Sequence, residues 1–320
     1  MSTYYVSAAS GSNGNAGTSE GAAWATIDKA MNTAVAGDKV WVKTDGNYNE
    51  TATIDTAATA ITPIIFEGYT SSTGDNGQAI INGQSTRVNC VDTTLGGSIG
   101  VFYVFKNFRF TGATSDGIAI TTIQNFTFKN CKFDTNGNNG ISIRGAIFEK
   151  CEFSSNTSMG CNVSSLPSAF IGCKFYSNGT YGLSTGDNTV VLYSEFFSNG
   201  SDNMSIGSAD VITVVAGCTI DGDNKDSNTG ITLNSAANLC VIVNNVIYDC
   251  VTGLSSSAGN RGERVISRNN LVNANTTAYV DSETFTGEIT SAPQFVNEVG
   301  GADYTPAIGS PLINAGLNGG

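Results

Sequence analysis

The chain has 320 residues with 38 glycines, 5 prolines and only 13% charged residues, so small polar side chains fill most non-hydrophobic positions. A hydrophobic fraction of 40% argues against a disordered chain and favours short strands joined by tight turns. The net charge of −12 opposes binding to nucleic acid or to anionic membranes. No apolar run approaches the roughly 20 residues of a membrane span, and we see no signal peptide.

The first predicted element is an amphipathic helix within residues 20–35. Trp24, Ile27, Met31 and Ala34 lie at helical spacing, and Gly37 follows them. We expect this helix to cap the N-terminal end of the fold, because an open sheet end otherwise invites pairing with other chains. Short apolar strands are then predicted at 40–42, 64–66 and 79–81.

A repeat begins after these strands. In Phe128-Lys-Asn-Cys131-Lys-Phe133, two apolar residues flank a central position, and the pattern returns every 20 to 27 residues. We place the central position at Phe108, Cys131, Cys151, Cys173, Ser194, Cys218, Asn245 and Asn269.

A second motif runs in phase with the first. Gly140-Ile-Ser-Ile143 is one example, a turn residue followed by the in-out-in alternation of a half-buried strand. Two strand motifs locked in phase over eight periods indicate coils that must stack to bury their apolar sides. The predicted fold class is therefore an all-β parallel β-helix, with a cap at 1–37, coils at 38–285 and a closing segment at 286–320.

Stacking predicts three columns of like side chains. The cysteines at the central position should form a buried apolar column, since the chain has no histidine and no CxxC pair for a zinc site. Side chains at turns should hydrogen-bond from coil to coil: Asn136, Asn156, Asn178 and Asn199, followed by Asp223. A solvent-facing ladder of ion pairs is predicted for Arg109, Lys132, Glu152, Lys174 and Glu195.

Both ends of the chain resemble those of pectate-lyase-like right-handed parallel β-helix proteins. The segments that carry the resemblance are Tyr4-Tyr5-Val6-Ser7, Trp24-Ala25-Thr26-Ile27, Ala36-Gly37-Asp38-Lys39-Val40, Ala292-Pro293-Gln294-Phe295-Val296 and Ser310-Pro311-Leu312-Ile313-Asn314. The resemblance implies right-handed coils. It also implies membership of a superfamily that includes polysaccharide lyases, hydrolases, epimerases, phage tailspikes and non-enzymatic surface proteins, so it does not fix the function.

Enzymes of this resemblance usually place acids, Ca²⁺ ligands and a Lys or Arg base outward on one strand column. The outward residues predicted for the glycine-led strand contain no carboxylate: Ala119, Ser142, Asn162, Ser184, Ser205, Thr232 and Ser255. The catalytic candidates are Arg144 at the end of one of these strands, Asp116 just before the neighbouring strand and Asp202 three coils away. A surface ion pair is the alternative reading of these residues.

Two further candidate sites come from side-chain chemistry. Tyr176, Phe197 and Tyr248 share a column with Tyr193 nearby, and such rings suit the apolar faces of sugars or simply cover the coil edges. The turn containing Asp221, Asp223 and Asp226 offers oxygen ligands for Ca²⁺, although Lys225 interrupts it.

Two functions are compatible with these observations. The first is a non-enzymatic, rigid β-helix of a virus particle or similar assembly, located on the virion or an extracellular surface, for decoration or for adhesion to surface glycans. Its expected partners are a surface polysaccharide or viral structural proteins, with a homo-oligomer possible and no cofactor except Ca²⁺. The alternative is a polysaccharide lyase or another carbohydrate-active enzyme, and a third, neutral reading is a spacer module.

Overall fold

The computed structural model describes residues 1–56, 62–96, 100–122, 124–186, 188–207, 212–223, 229–234, 239–256, 265–268, 270–273, 275, 277–280, 291, 295–297, 303–308 and 310. The chain divides into two compact units, unit 1 at Met1–Leu166 and unit 2 at Pro167–Gly320. The proposed boundaries of the cap, the coils and the closing segment within a single domain remain predictions.

Within its described residues, unit 1 contains a 3-10 helix at Glu20–Ala22, one α-helix and sixteen short strands. The helix is α1 (Ile27–Met31), and the strands are β1 (Thr3–Val6), β2 (Lys39–Lys43), β3 (Asn47–Tyr48), β4 (Ala52–Ile54), β5 (Ile64–Tyr69), β6 (Ala79–Asn82), β7 (Val91–Thr93), β8 (Gly100–Lys106), β9 (Phe108–Thr111), β10 (Ile118–Ile120), β11 (Gln124–Lys129), β12 (Lys132–Asp134), β13 (Ile141–Ile143), β14 (Ala146–Glu149), β15 (Glu152–Ser154) and β16 (Cys161–Val163).

Unit 2 continues the same alternation of strands. They are β17 (Ser168–Ile171), β18 (Lys174–Tyr176), β19 (Leu183–Thr185), β20 (Thr189–Leu192), β21 (Glu195–Phe197), β22 (Met204–Ile206), β23 (Ile212–Ala216), β24 (Thr219–Asp221), β25 (Thr229–Leu233), β26 (Leu239–Val243), β27 (Val246–Tyr248), β28 (Thr252–Ser256), β29 (Val265–Arg268), β30 (Leu271–Asn273), β31 (Thr277–Val280), β32 (Phe295–Asn297) and β33 (Asp303–Pro306).

In each unit, every third strand pairs in parallel, which produces three sheets. In unit 1, sheet A has the order β1-β2-β5-β8-β11-β14, sheet B has β3-β6-β9-β12-β15, and sheet C has β4-β7-β10-β13-β16. In unit 2, sheet A has β17-β20-β23-β26-β29, sheet B has β18-β21-β24-β27-β30, and sheet C has β19-β22-β25-β28-β31. Each unit is therefore a parallel β-helix, and the predicted all-β solenoid is confirmed. Within the predicted closing segment, β32 and β33 pair antiparallel.

The interior is filled by columns of stacked aromatic rings. On sheet A of unit 1, the ring of Phe128 stacks between those of Phe105 and Phe148, with centroid distances of 5.5 and 5.2 Å. On sheet B, Phe133 stacks on Phe153 at 5.0 Å. These rings are fully buried, and their apolar area supplies the main drive for stacking one coil on the next.

The central-position cysteines are buried thiols, as predicted, and are not in disulfides. The thiol of Cys131 lies 3.5 Å from the carbonyl oxygen of Phe105, and the thiol of Cys218 lies 3.6 Å from that of Val191. At the last described coil the central position belongs to Asn270, whose side-chain oxygen accepts hydrogen bonds from the main-chain and side-chain nitrogens of Asn245. The predicted position, Asn269, is one residue too early and lies outside the described residues.

The predicted asparagine column forms within each unit. Asn136 donates from its side chain to the amide oxygen of Asn156 at 3.0 Å, and Asn178 donates to Asn199 in the same way. The ion-pair ladder also forms, with Lys132 and Glu152 at 3.1 Å and Lys174 and Glu195 at 2.8 Å. Arg109 is a difference from the prediction, because it turns to Asp134 and makes a two-point contact at 2.8 and 2.6 Å.

The predicted capping helix is present but spans only Ile27–Met31. The Thr26 side chain caps it by accepting from the amide of Lys29, and Glu50 accepts from the amides of Ile27 and Asp28. Trp24 precedes the helix in extended backbone that bridges to Val6. Trp24 and Ile27 are therefore both buried, but Trp24 lies in the extended segment before the helix and Ile27 is its first residue.

Between β8 and β27, a short turn joins each strand of sheet A to the next strand of sheet B, and its first residue has a left-handed backbone. The φ values at this position lie between 51° and 64°. The residues are Asn107, Asn130, Lys150, Gly172, Tyr193, Gly217 and Asn244. Glycine and asparagine are common there because they adopt this conformation at low cost.

Candidate functional site

The outward side of sheet B in unit 2 carries an aromatic pair. Tyr176 on β18 and Phe197 on β21 are opposite each other in the parallel register. Their rings stack at a centroid distance of 4.9 Å with an interplanar angle of 5°. The structure thus brings together two of the predicted sugar-binding residues, but the ring faces that meet cover each other and are closed to a ligand.

Tyr248 continues the column two coils further on, after Asp221. Its side chain is buried, and its hydroxyl donates to Oδ2 of Asp221 at 2.9 Å. Tyr248 therefore contributes to the coil edge, and its ring is not presented to a sugar.

The predicted calcium turn is partly occupied by internal hydrogen bonds. Oδ1 of Asp221 accepts from the amide of Asp223 at 2.7 Å, while its other oxygen receives the Tyr248 hydroxyl. Asp223 in turn accepts from the Ser198 hydroxyl. Asp226 lies outside the described residues, and within the described ranges no cluster of three metal-ligating side chains occurs. Both oxygens of Asp221 therefore accept a hydrogen bond within this turn.

Tyr193 is the predicted aromatic residue that meets solvent. Its side chain is 70% exposed, although its backbone is left-handed with φ at 51°. The ring lies over Gly217 of the next coil, where an added Cβ would come within 2.7 Å of the ring carbon Cδ1. Gly217 therefore provides the space in which the Tyr193 ring sits. Two residues further along the chain, Glu195 makes its ion pair with Lys174.

Arg144 and Asp116 lie at opposite ends of the strands of sheet C in unit 1. Arg144 follows β13 and donates from Nε to the Ser165 hydroxyl at 3.2 Å. Asp116 precedes β10 and accepts from the Asn138 side chain at 2.7 Å and the Asn139 amide at 3.0 Å. A strand of sheet C separates the two positions, because Asp116 lies before the strands and Arg144 after them.

Asp202 belongs to unit 2 and is held there by a neighbour of its own. Its Oδ2 accepts from the Thr232 hydroxyl at 2.8 Å. That oxygen of Asp202 therefore already has a hydrogen-bond donor. The three candidates are thus each engaged by local polar groups.

The outward column of sheet C differs from the prediction at three places. Ser142 and Ser205 are buried, because the side chains of Asn139 and Asn234 cover them and donate to their hydroxyls at 3.0 and 2.7 Å. Asp92 on β7 is an acid in this column that the sequence reasoning missed. It aligns with Thr53 of β4 and accepts from the Asn89 side chain at 3.1 Å.

The sequence around Asp92 has the strand motif of sheet C without its leading glycine. Its strand begins after Cys90, where most other coils have glycine, so the segment Asn89-Cys90-Val91-Asp92 does not match the glycine-led motif.

Among the described helices, none combines the length and apolarity required to cross a bilayer.

Known proteins share the architecture at low sequence identity. Residues 90–224 match the family described as right handed beta helix region. No curated protein matches the sequence. Pectate lyase Pel9A aligns with a TM-score of 0.61 at 17% identity, covering 93% of this chain and 83% of that chain.

Two further solved structures align over similar lengths. The A-module of the Azotobacter vinelandii mannuronan C-5 epimerase AlgE6 has a TM-score of 0.54 at 14% identity, covering 91% of this chain and 89% of its own. A rhamnogalacturonan lyase has a TM-score of 0.54 at 13% identity, covering 93% and 91%. At these identities the likeness concerns the fold. The chain therefore has the right-handed parallel β-helix fold that these proteins share.

Proposed function

We propose that this chain is a rigid β-helix that binds a polysaccharide at the turn between sheets A and B in unit 2 without cleaving it. The observation that carries the proposal is the exposed Tyr193, followed two residues later by Glu195, which pairs with Lys174. An aromatic ring with charged neighbours suits a sugar, whose C–H face packs on the ring while its hydroxyls take hydrogen bonds.

The energetics of Tyr193 support a role outside the fold. A left-handed backbone costs a non-glycine residue about 1 kcal/mol, and the flanking coils avoid this cost with Gly172 and Gly217. Because most of the ring is exposed, its burial contributes little to the stability of the fold. Such a residue costs stability and contacts mainly solvent, which is consistent with a ring that contacts a bound ligand and not the protein interior.

The binding test compares two substitutions at the same position. Tyr193→Phe keeps the ring, whereas Tyr193→Asn removes it and suits the left-handed backbone. Against a panel of neutral and acidic polysaccharides in affinity electrophoresis, we expect retention of the wild type and Tyr193→Phe by at least one polymer. We expect Tyr193→Asn to migrate freely while melting at or above the wild-type temperature. Equal retardation of all three proteins would refute the site.

A biological setting follows as part of the proposal. Glycan binding without turnover fits decoration or adhesion at the surface of a virus particle or comparable assembly. Electron microscopy of such particles with a label directed to this chain would test the setting. A protein recovered only as a free, particle-independent species would argue against it.

A polysaccharide lyase or other carbohydrate-active enzyme is the second candidate. It is favoured by Asp92, an acid in the outward column of sheet C, and by the fold shared with pectate and rhamnogalacturonan lyases. Incubation with pectate and alginate, with and without Ca²⁺, would reveal unsaturated products by ultraviolet absorbance. Turnover abolished by Asp92→Asn or Arg144→Ala, but unchanged in Tyr193→Asn, would replace the first candidate with the second.

A further inference from the structure

The net charge of the chain is distributed unevenly between its two units. Unit 1 contains 10 Lys and Arg against 13 Asp and Glu, whereas unit 2 contains 5 against 14. Unit 2 therefore carries −9 of the net charge of −12 in a little under half of the chain. Because Tyr193 belongs to unit 2, a polyanion that approaches its ring is repelled by the charge of this unit.

The outward column of sheet B that begins two residues after Tyr193 contains one ion pair. Parallel register aligns Lys174, Glu195, Thr219 and Val246 in this column. Nζ of Lys174 lies 2.8 Å from Oε2 of Glu195, and the next two positions carry no charge. An acidic sugar would therefore be repelled by Glu195 and would have to compete with it for the Lys174 ammonium.

The other positions around the Tyr193 ring are uncharged. In the left-handed corner column, Gly172 lies on the preceding coil and Gly217 on the following one. On the sheet A side, the outward residue before the ring is Leu192, which aligns with Ala216 of the next coil. Among these neighbours of the ring, charge is therefore confined to the one ion pair on sheet B.

We infer that the polysaccharide bound at Tyr193 is uncharged and that polymers of uronic acids are excluded; this rests on the proposed function, because it names the ligand class of the same site. A neutral sugar is not repelled by the acidic unit, and its C–H face packs on the ring. Lys174 and Glu195 have side-chain exposures of 46% and 32%, so the ammonium can donate to sugar hydroxyls and the carboxylate can accept from them. A cationic glycan would be attracted over much of unit 2 and would not depend on one ring.

Polymers that differ in charge test the inference by affinity electrophoresis in the presence of EDTA. Neutral glucans, mannans and galactans are compared with pectate, alginate and a partly deacetylated chitin. We expect a neutral polymer to retain the wild type and Tyr193→Phe but not Tyr193→Asn. That polymer is then oxidised in stages at its primary hydroxyls, which adds carboxylates to an unchanged backbone. Retention of the wild type should fall by about tenfold or more with oxidation, and added salt should restore part of it.

Glu195→Gln tests the local contribution, because it removes the carboxylate that pairs with Lys174. The readout is the ratio of retention by the oxidised polymer to retention by its neutral parent. We expect this ratio to rise by about two- to fivefold, which is the strength of an exposed ion pair. Glu149→Gln makes the same change to the pair with Lys129 in unit 1 and should leave the ratio at its wild-type value. Circular dichroism confirms folding of each variant.

The outcomes separate this inference from the proposed function. Retention by pectate, alginate or the deacetylated chitin in preference to the neutral polymers, if it depends on Tyr193, would overturn the inference and leave the glycan site in place. Wild-type retention that rises with oxidation would do the same, as would a ratio that Glu195→Gln does not change or that Glu149→Gln raises equally. If no polymer retains the protein in a Tyr193-dependent manner, the proposed function fails and the inference fails with it.

Discussion

The buried thiols should make the protein sensitive to alkali. Burial raises the pKa of Cys90 to about 11 and those of Cys218 and Cys240 to about 12, and it raises that of Cys250 further. Removal from water is the largest cause at all four positions, because a thiolate loses its hydration inside the coil. In the unfolded chain these thiols return to an ordinary pKa near 9.0.

The sign of the effect follows from proton binding. Between the unfolded and folded pKa values the folded protein holds a proton that the unfolded chain releases, so the free energy of unfolding falls as the pH rises. Between pH 8 and pH 10, each of these thiols lowers the free energy of unfolding by about 1.3 kcal/mol. Each pH unit above the unfolded pKa and below the folded pKa corresponds to about 1.4 kcal/mol. The four thiols together lower the free energy of unfolding by about 5 kcal/mol. This is a large share of the roughly 5–15 kcal/mol that stabilises a typical domain.

Urea unfolding at pH 8, 9 and 10, in the presence of a reductant, measures this loss. Cys240→Val serves as the matched variant because it removes one thiol from sheet A and supplies a residue suited to a strand. We expect its free energy of unfolding to fall by about 1.3 kcal/mol less than that of the wild type between pH 8 and pH 10. Identical pH dependences, or rapid labelling of native thiols by a disulfide reagent at pH 8, would refute the reasoning.

Three substitutions test the columns themselves by chemical unfolding. Phe133→Ala should cost about 3–5 kcal/mol, because it opens a cavity in a stacked aromatic column; a cost below about 1 kcal/mol would contradict the packing. Asn136→Ala should cost about 2–3 kcal/mol, because it removes the bond to Asn156 and orphans buried partners, whereas a neutral effect would exclude the ladder. Thr213→Val should stabilise by about 1 kcal/mol, because within the described chain the buried Thr213 hydroxyl has no hydrogen-bond partner; destabilisation would reveal one.

The coil architecture was predictable because its signals are local and repeated. Phe128, Cys131 and Phe133 recur with constant spacing, and stacking then places like residues over like without further information. The last coil was misplaced by one residue because Asn269 and Asn270 are adjacent and the pattern cannot choose between them. Register there depends on which amide receives the Asn245 bonds, and this is a property of the assembled coil.

The candidate sites depended on information that spacing does not contain. Whether Arg144 meets Asp116 is decided by which end of sheet C each one occupies, and the chain places them at opposite ends. Whether a ring faces solvent or its neighbour distinguishes Tyr193 from Tyr176, although the two residues belong to adjacent coils.

The left-handed turns between sheets A and B restrict where this chain can change length. Two residues, Asn130 and Cys131, separate Lys129 from Lys132, and Asn244 and Asn245 separate Val243 from Val246 in the same way. An extra residue there would turn every following side chain to the wrong side of its strand. The connections from sheet C back to sheet A differ in length, from 144–145 to 164–167. Foreign peptides grafted into those connections should be displayed at coil-height intervals, which makes the scaffold suited to presenting epitopes at fixed spacing.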